Sequence, residues 1–114
     1  MKLTAEQRRT GSHLSPRKRR EITEHEERHA RCARAFGAEL RWEFTDDGGA
    51  EIVEWTKWKG LTPVQFAAVF YAGSCGPGAN VVDERLGEKW INRLPRGERK
   101  EGEKEARRLA RKCC

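Results

Sequence analysis

Two histidines and a glutamate in the run from residue 25 to 29 have the spacing of a zinc-binding motif. The run reads His25-Glu26-Glu27-Arg28-His29, an HExxH pattern. Residues i and i+4 share a face of a helix, so both imidazoles can bind one Zn²⁺. The glutamate beside the first histidine can take a proton from water at the open position of the metal, which is metallopeptidase chemistry. The alternative is a pair of histidines that are only hydrogen-bonded on a packed face.

A zinc site of this type needs a third protein ligand, and three side chains are candidates. Cys32 lies about 10 Å along the helix from His25, which is too far to close a site with both histidines, so it is predicted to belong to the core. Cys75 can reach inward from a loop or can be a small buried residue. Asp83 can bind the metal or stabilise the start of the following helix. The residues alone leave Cys75 and Asp83 open.

The motif lies in a helix with clear end signals. Ser15 is a suitable N-cap, Pro16 suits the first turn, and Gly37 suits the left-handed residue after the last turn. Both histidines are predicted to face the core, because they belong to a stripe of side chains at steps of three and four. The stripe comprises Ile22, His25, His29, Cys32 and Phe36. The charged residues off the stripe are predicted to be solvated, namely Glu24, Glu27, Arg28 and Arg31.

A β-hairpin is predicted next to this helix. Residues 39–45 alternate polar and apolar side chains, and residues 51–58 are rich in β-branched and aromatic residues. The segment between them, Asp46-Asp47-Gly48-Gly49, has turn chemistry. Tryptophans cluster on this hairpin, and packing against the motif helix is the simplest role for them.

Helices are predicted on both sides of this unit. A short helix begins at Thr4 and ends at Gly11. An apolar helix begins at Thr62-Pro63 and runs to residue 71 or 72, and it should be the buried central helix. A glycine-rich loop over residues 73–78 follows, and then a helix that Asn80 can cap. The charged end of the chain is either a solvated helix or disordered.

Length and charge suggest one domain with basic extensions. The chain has 114 residues, enough for one α+β domain and too few for two. We predict a basic N-terminal arm at 1–14, a mostly helical domain with one hairpin at 15–95, and a charged C-terminal tail at 96–114. The net charge is +6. Both ends are basic and the middle is acidic, which indicates nucleic acid or an acidic protein as a partner, or merely solubilising tails.

The rest of the composition bears on the cell compartment. Neither a membrane-spanning apolar run nor a signal-peptide pattern is recognisable, so we expect a cytoplasmic protein that does not bind membranes. The four cysteines show no framework spacing, and in a reducing compartment they are expected to be thiols. The pattern gives no indication of oligomeric state.

The motif helix and the segments after it resemble the peptidase domain of FtsH-type proteases. The run from Glu24 to Gly37 is similar to the "HEAGHA…A…G" helix of that family, and a hairpin, a buried helix ending Ala72-Gly73 and a Gly-Ala segment before an aspartate follow in the same order. The resemblance implies a zincin-like fold, His25, His29 and Asp83 as zinc ligands, and Glu26 as the general base. Charged residues replace the small inner residues of the family motif.

The resemblance implies a small zinc metallopeptidase that acts on polypeptide. No phosphate-binding GxxxxGK[ST] loop is present, so we expect cleavage only of exposed or unfolded segments. The alternative is a catalytically silent relative that binds nucleic acid or an acidic protein through its basic ends. Metal content would separate the two hypotheses.

Overall fold

A computed structural model describes residues 2–75 and 81–114 of the chain. The predicted loop residues 76–78 and the predicted cap Asn80 lie outside the described residues. The described part is a mostly helical α+β domain with one antiparallel hairpin, so the predicted fold class is confirmed at this level. Its elements are α1 (Ala5–Thr10), α2 (Pro16–Ala35), β1 (Glu39–Phe44), β2 (Ala50–Thr56), α3 (Pro63–Tyr71), α4 (Val81–Ile91) and α5 (Arg99–Lys112), with 3₁₀ turns at Ala72–Ser74 and Arg96–Glu98.

The motif helix α2 begins and ends where its end signals predict. The Ser15 hydroxyl accepts a hydrogen bond from the Lys18 backbone N–H, and Pro16 occupies the first turn. Beyond the last turn, Gly37 has a φ of 87°, a left-handed conformation that favours glycine. These local contacts fix the register of the helix, and thereby the direction in which its histidines point.

The hairpin contains a bulge that re-aims one of its tryptophans. Trp42 of β1 pairs with Ile52 of β2, but Leu40 pairs with Trp55, which leaves Val53 as the extra residue. Because of this extra residue, Ile52 and Trp55 share a face although they are three positions apart. Ile52 and Trp55 thereby both pack against the hydrophobic core. The strand ends at Thr56, two residues before the predicted end, and the following residue has a positive φ.

Helix α3 is the centre of the core, as its apolar composition predicts. Its N-terminus is closed by a reciprocal capping box between Thr62 and Gln65. The helix packs against α2, α4 and α5. Much of the surrounding core consists of small side chains, so the helices approach one another closely.

Both predicted extensions contain helices that pack on the rest of the domain. Helix α1 lies against β1, and the buried Gly11 that follows it touches the ring of the buried Phe44. Helix α5 lies against α3 through the buried Ala106 and Ala110. The end of the chain is therefore a helix, one of the two states that the sequence left open. Among the described helices, none combines the length and apolarity needed to cross a membrane.

The cysteines differ from the prediction. Cys75 and Cys114 form a disulfide that spans 39 residues, so the expectation of four thiols is wrong for this pair. Cys32 and Cys113 keep their thiols, and the Cys113 thiol donates to the Leu109 carbonyl oxygen. The prediction considered spacing along the chain, whereas α5 brings the adjacent C-terminal cysteines back to α2 and to the end of α3.

Candidate metal centre

Three side chains from two helices converge beside the end of α3. His25 and His29 come from consecutive turns of α2, and Asp83 comes from the first turn of α4. All three are buried, and each offers a ligand atom to a common point. They are close enough to bind a metal ion. Without one, the Asp83 carboxylate forms ion pairs with both imidazoles.

The distances between the three ligand atoms match a tetrahedral metal. The Nε2 atoms of His25 and His29 are 3.3 Å apart. Asp83 Oδ2 lies 2.9 Å from His25 Nε2 and 3.3 Å from His29 Nε2. A tetrahedral zinc with ligands at 2.0–2.2 Å separates its ligand atoms by about 3.3 Å. The three atoms therefore form a triangle with edges close to those of one face of such a tetrahedron.

His29 is held in the orientation that a metal ligand needs. Its Nδ1–H donates to the Val69 carbonyl oxygen at 2.7 Å. Val69 lies in the last turn of α3, where carbonyls lack partners within the helix. Because this bond keeps a proton on Nδ1, Nε2 is the ring nitrogen that faces Asp83 and His25, and it can bind a metal once it carries no proton.

Arg28 is buried, which corrects the prediction that it is solvated. Its side chain is only 3% exposed. The guanidinium donates to the carbonyl oxygens of Ala72 and Gly73 at 3.2 and 3.1 Å. These carbonyls follow the end of α3, where a cation is favourable. Arg28 thus ties the motif helix to the segment between α3 and α4.

Arg28 also determines the proton position on His25. Its Nη2 lies 3.3 Å from His25 Nδ1, and a guanidinium can only donate. In the metal-free state Nδ1 therefore accepts, and the ring proton lies on Nε2, directed at Asp83. A metal on Nε2 requires that proton to leave, so His25 is less well prepared for a metal than His29 is.

The charges of the cluster favour a bound cation. Burial disfavours the ionised form of Asp83, but hydrogen bonds from His25 and His29 outweigh it and bring the pKa of this carboxyl to about 2. Burial lowers the pKa of His29, but the hydrogen bond and charge of Asp83 raise it above its ordinary value. The cluster therefore contains a firmly ionised carboxylate that attracts positive charge, which protons or a metal can supply.

Glu26 lies at the edge of the cluster, where a general base would be placed. Its Oε1 is 3.9 Å from His25 Nε2. Burial raises the pKa of this carboxyl, although the neighbouring histidines oppose the shift. It lines a cavity of about 310 Å³ together with the three ligand candidates and β2. Ala50, Ile52, Phe70 and Val82 also line this cavity. A molecule in the cavity would thus meet Glu26 and the cluster together.

Gly73 is required by the close approach of the backbone to the cluster. A Cβ at this position would lie 2.6 Å from His29 Nε2 and would also overlap Asp83 Oδ2. The segment that Arg28 holds therefore runs directly behind the ligand atoms. Its position allows the two ligand-bearing helices to approach each other.

The remaining predicted candidates are not part of the cluster. Cys32 is fully buried in the core, as predicted. Cys75 is bonded to Cys114 and offers no thiolate. Sequence reasoning missed Arg28, although its position three residues after His25 puts it beside the inward stripe. It also missed the Val69 carbonyl, because a backbone acceptor leaves no signal in the residue types.

The chain was compared with protein-family models, curated proteins and solved structures. None of them matches it. The geometry of the cluster and the HExxH motif are therefore the only indications of function.

Proposed function

We propose that the protein is a small zinc metallopeptidase with a zincin-like fold of the FtsH-peptidase type. The observation that carries this proposal is the triangle of ligand atoms from His25, His29 and Asp83, with edges of 2.9–3.3 Å. The HExxH helix, the adjacent hairpin and the carboxylate of Glu26 beside the triangle are consistent with it.

The side chains at the site would have two separate roles, metal binding and proton transfer. His25, His29 and Asp83 would hold the metal. Zinc, when bound, polarises a carbonyl group and acidifies water. Glu26 accepts the proton of the attacking water at Oε1 and returns it to the leaving amine. Burial supports this role, because a carboxylate with a raised pKa accepts a proton more readily.

The proposed substrate is an extended stretch of polypeptide. Strand β2 borders the cavity with Ala50, Glu51 and Ile52, whereas no residue of β1 lines it. Within the described residues the sheet has two strands, so the second edge of β2 is not paired with a strand. A peptide could add to this edge through main-chain hydrogen bonds, which require an exposed or unfolded segment.

Metal content tests the site. Purified wild type should contain about one zinc per chain, and His29→Ala should contain little. His13→Ala is the matched control, because it removes a histidine outside the cluster and should retain zinc. Elemental analysis after exposure to stoichiometric zinc gives the readout. A wild type that binds no zinc would leave the cluster as an ion-pair network and overturn the proposal.

Peptide cleavage tests the chemistry separately. Glu26→Gln removes the proton acceptor but preserves size, so it should retain zinc and lose about 10²-fold or more in activity on an unfolded protein. Glu27→Gln is the control, since its remaining carbonyl oxygen can still accept from the Trp42 indole that Glu27 binds. A wild type with zinc but without activity towards any unfolded substrate would contradict the peptidase proposal and leave a silent metal-binding protein.

A further inference from the structure

A groove lined by aromatic side chains lies next to the candidate site. It has a volume of about 390 Å³, which is within the range of ligand pockets. The rings of Trp90 and Phe66 stack at 4.0 Å, and Trp58 lies across the groove with 45% of its surface exposed. The lining residues are Trp55, Trp58, Phe66, Phe70, Trp90 and Arg93. A concave apolar surface of this kind suits an apolar side chain.

The groove adjoins the cavity beside His25, His29 and Asp83. Phe70 lines both. Its ring centroid is 6.3 Å from that of His29 and 6.3 Å from that of Trp55. Strand β2 also connects them, because Ala50 and Ile52 border the cavity and Trp55 borders the groove. A peptide that lies along β2 would therefore pass from one to the other.

We propose that the groove is a subsite for a bulky apolar side chain, preferably aromatic, of the peptide bound along β2. The inference rests on the proposed function and names its substrate class. Three to five positions separate Ile52 and Ala50 from Trp55. An extended peptide has the same rise of about 3.4 Å per residue, so the anchored side chain lies three to five residues from the cleaved bond.

The positive charge of Arg93 at the edge of the groove indicates which residue should lie next to the bound aromatic side chain of the peptide. Among the lining residues Arg93 alone is charged, and its guanidinium lies 4.0 Å over the Trp90 ring. No described carboxylate makes a salt bridge with it. The groove therefore favours an acidic residue next to the aromatic one.

Binding is measured first, with the zinc-loaded Glu26→Gln protein and short fluorescein-labelled peptides. The peptides differ only in one position, which is Phe or Ala, and in its neighbour, which is Asp or Lys. The Phe peptides should bind about tenfold more tightly than the Ala peptides, because the groove buries the ring. Trp58→Ala should remove this preference, and Arg93→Ala the preference for Asp, while Arg96→Ala should retain both.

Cleavage is measured next, with wild type and the same Phe peptides. Mass spectrometry of the products should place the cut three to five residues from Phe. Equal binding of Phe and Ala peptides, or cleavage at the Phe itself, would overturn the subsite. Dimerisation of wild type that Trp58→Ala abolishes would also overturn it, since a second copy would then cover the groove. Tight Phe binding without any cleavage would support the groove and reject the peptidase proposal.

Discussion

His25 and His29 belong to one motif, yet their second ring nitrogens have opposite partners. His29 donates to a backbone carbonyl, as zinc-bound histidines commonly do, whereas His25 faces a guanidinium donor. A histidine that binds metal through Nε2 carries its proton on Nδ1, where Arg28 opposes it. The same arginine stabilises the fold through two carbonyls. Arg28 therefore favours folding and opposes metal binding.

Replacement of Arg28 should separate these two effects. We expect Arg28→Gln to lower the free energy of unfolding by about 2 kcal/mol, because buried carbonyls lose a charged donor. The affinity of the folded protein for zinc should rise about tenfold, since the guanidinium no longer opposes a proton on His25 Nδ1. Denaturant unfolding and chelator competition measure the two quantities. The exposed Arg20→Gln on the same helix should change neither. If Arg28→Gln binds zinc more weakly than wild type, then the main effect of Arg28 on zinc affinity is to position the Ala72–Gly73 segment.

Gly73 offers a second test at the level of one residue. An added methyl group would meet His29 and Asp83, so Gly73→Ala must push the ligand-bearing helices apart. We expect loss of zinc binding and a cost of about 1–3 kcal/mol in stability, the usual range for overpacking. Gly60→Ala, where a Cβ meets open space, should leave zinc affinity unchanged. Calorimetric zinc titration of both variants measures the difference. Retention of wild-type affinity by Gly73→Ala would refute the close approach.

At the level of elements, helix ends were the most predictable features. Ser15 and Thr62 cap helices through their own side chains, so the signal is local and readable in the sequence. The bulge at Val53 was not predictable, because it depends on the pairing of Leu40 and Trp42 across the hairpin. The sequence therefore predicts where elements begin and end better than how they face one another.

The candidate site was also predictable in its local part and not in the part that depends on how the helices pack. The i, i+4 spacing of His25 and His29 predicts a shared helix face, and the structure places both side chains in one buried cluster. The choice of Asp83 over Cys75 as the third ligand candidate came only from a family resemblance, since the approach of α2 and α4 at the cluster leaves no pattern in either helix. The burial of Arg28 depends on the position of the α3 terminus, which is equally non-local.

The contact between α3 and α4 can be tested at Gly87, where α4 approaches the ring of Tyr71. A Cβ on the buried Gly87 of α4 would lie 2.6–2.7 Å from atoms of the Tyr71 ring. Alanine usually stabilises a helix by about 1 kcal/mol relative to glycine. Here the overlap should dominate, so Gly87→Ala should lower stability by about 1–3 kcal/mol. Thermal melts of Gly87→Ala are compared with those of Gly97→Ala, where the added Cβ meets open space, so that the difference in stability reports the overlap with Tyr71. A more stable Gly87→Ala variant would show that the helices can separate without cost.

At the level of the whole molecule, two arginines of the C-terminal segment form ion pairs with carboxylates of the domain. Arg107 pairs with Glu84 and Glu103, and Arg108 pairs with Glu105. These arginines contribute less to an outward-facing basic patch than a count of charges suggests. Binding of nucleic acid or an acidic protein through the basic ends remains a prediction.

The packed ends of the chain lead to a prediction about the minimal folding unit. Removal of residues 1–14 and 96–114 would uncover Phe44, which touches Gly11, and the face of α3 that Ala106 and Ala110 cover. We therefore expect the 15–95 fragment to lose the cooperative thermal transition of the full chain, as followed by circular dichroism. Deletion of residues 1–3 alone should leave the transition within a few degrees of wild type. A fully cooperative 15–95 fragment would show that both ends are dispensable extensions.

The disulfide links the C-terminus of α5 to the segment behind the cluster of His25, His29 and Asp83. Cys75 lies two residues after Gly73, and its bridge to Cys114 closes a loop of 39 residues. Closing a loop of this size restricts the unfolded chain and typically stabilises a protein by about 3–4 kcal/mol. Cys114→Ser should lower stability by roughly this amount and weaken zinc binding, because the segment that contains Gly73 loses its anchor. Reductant should reproduce both effects in wild type but have no further effect on Cys114→Ser. Cys113→Ser, which leaves the bridge intact, should remain sensitive to reductant, and equal stability of reduced and oxidised wild type would contradict the prediction.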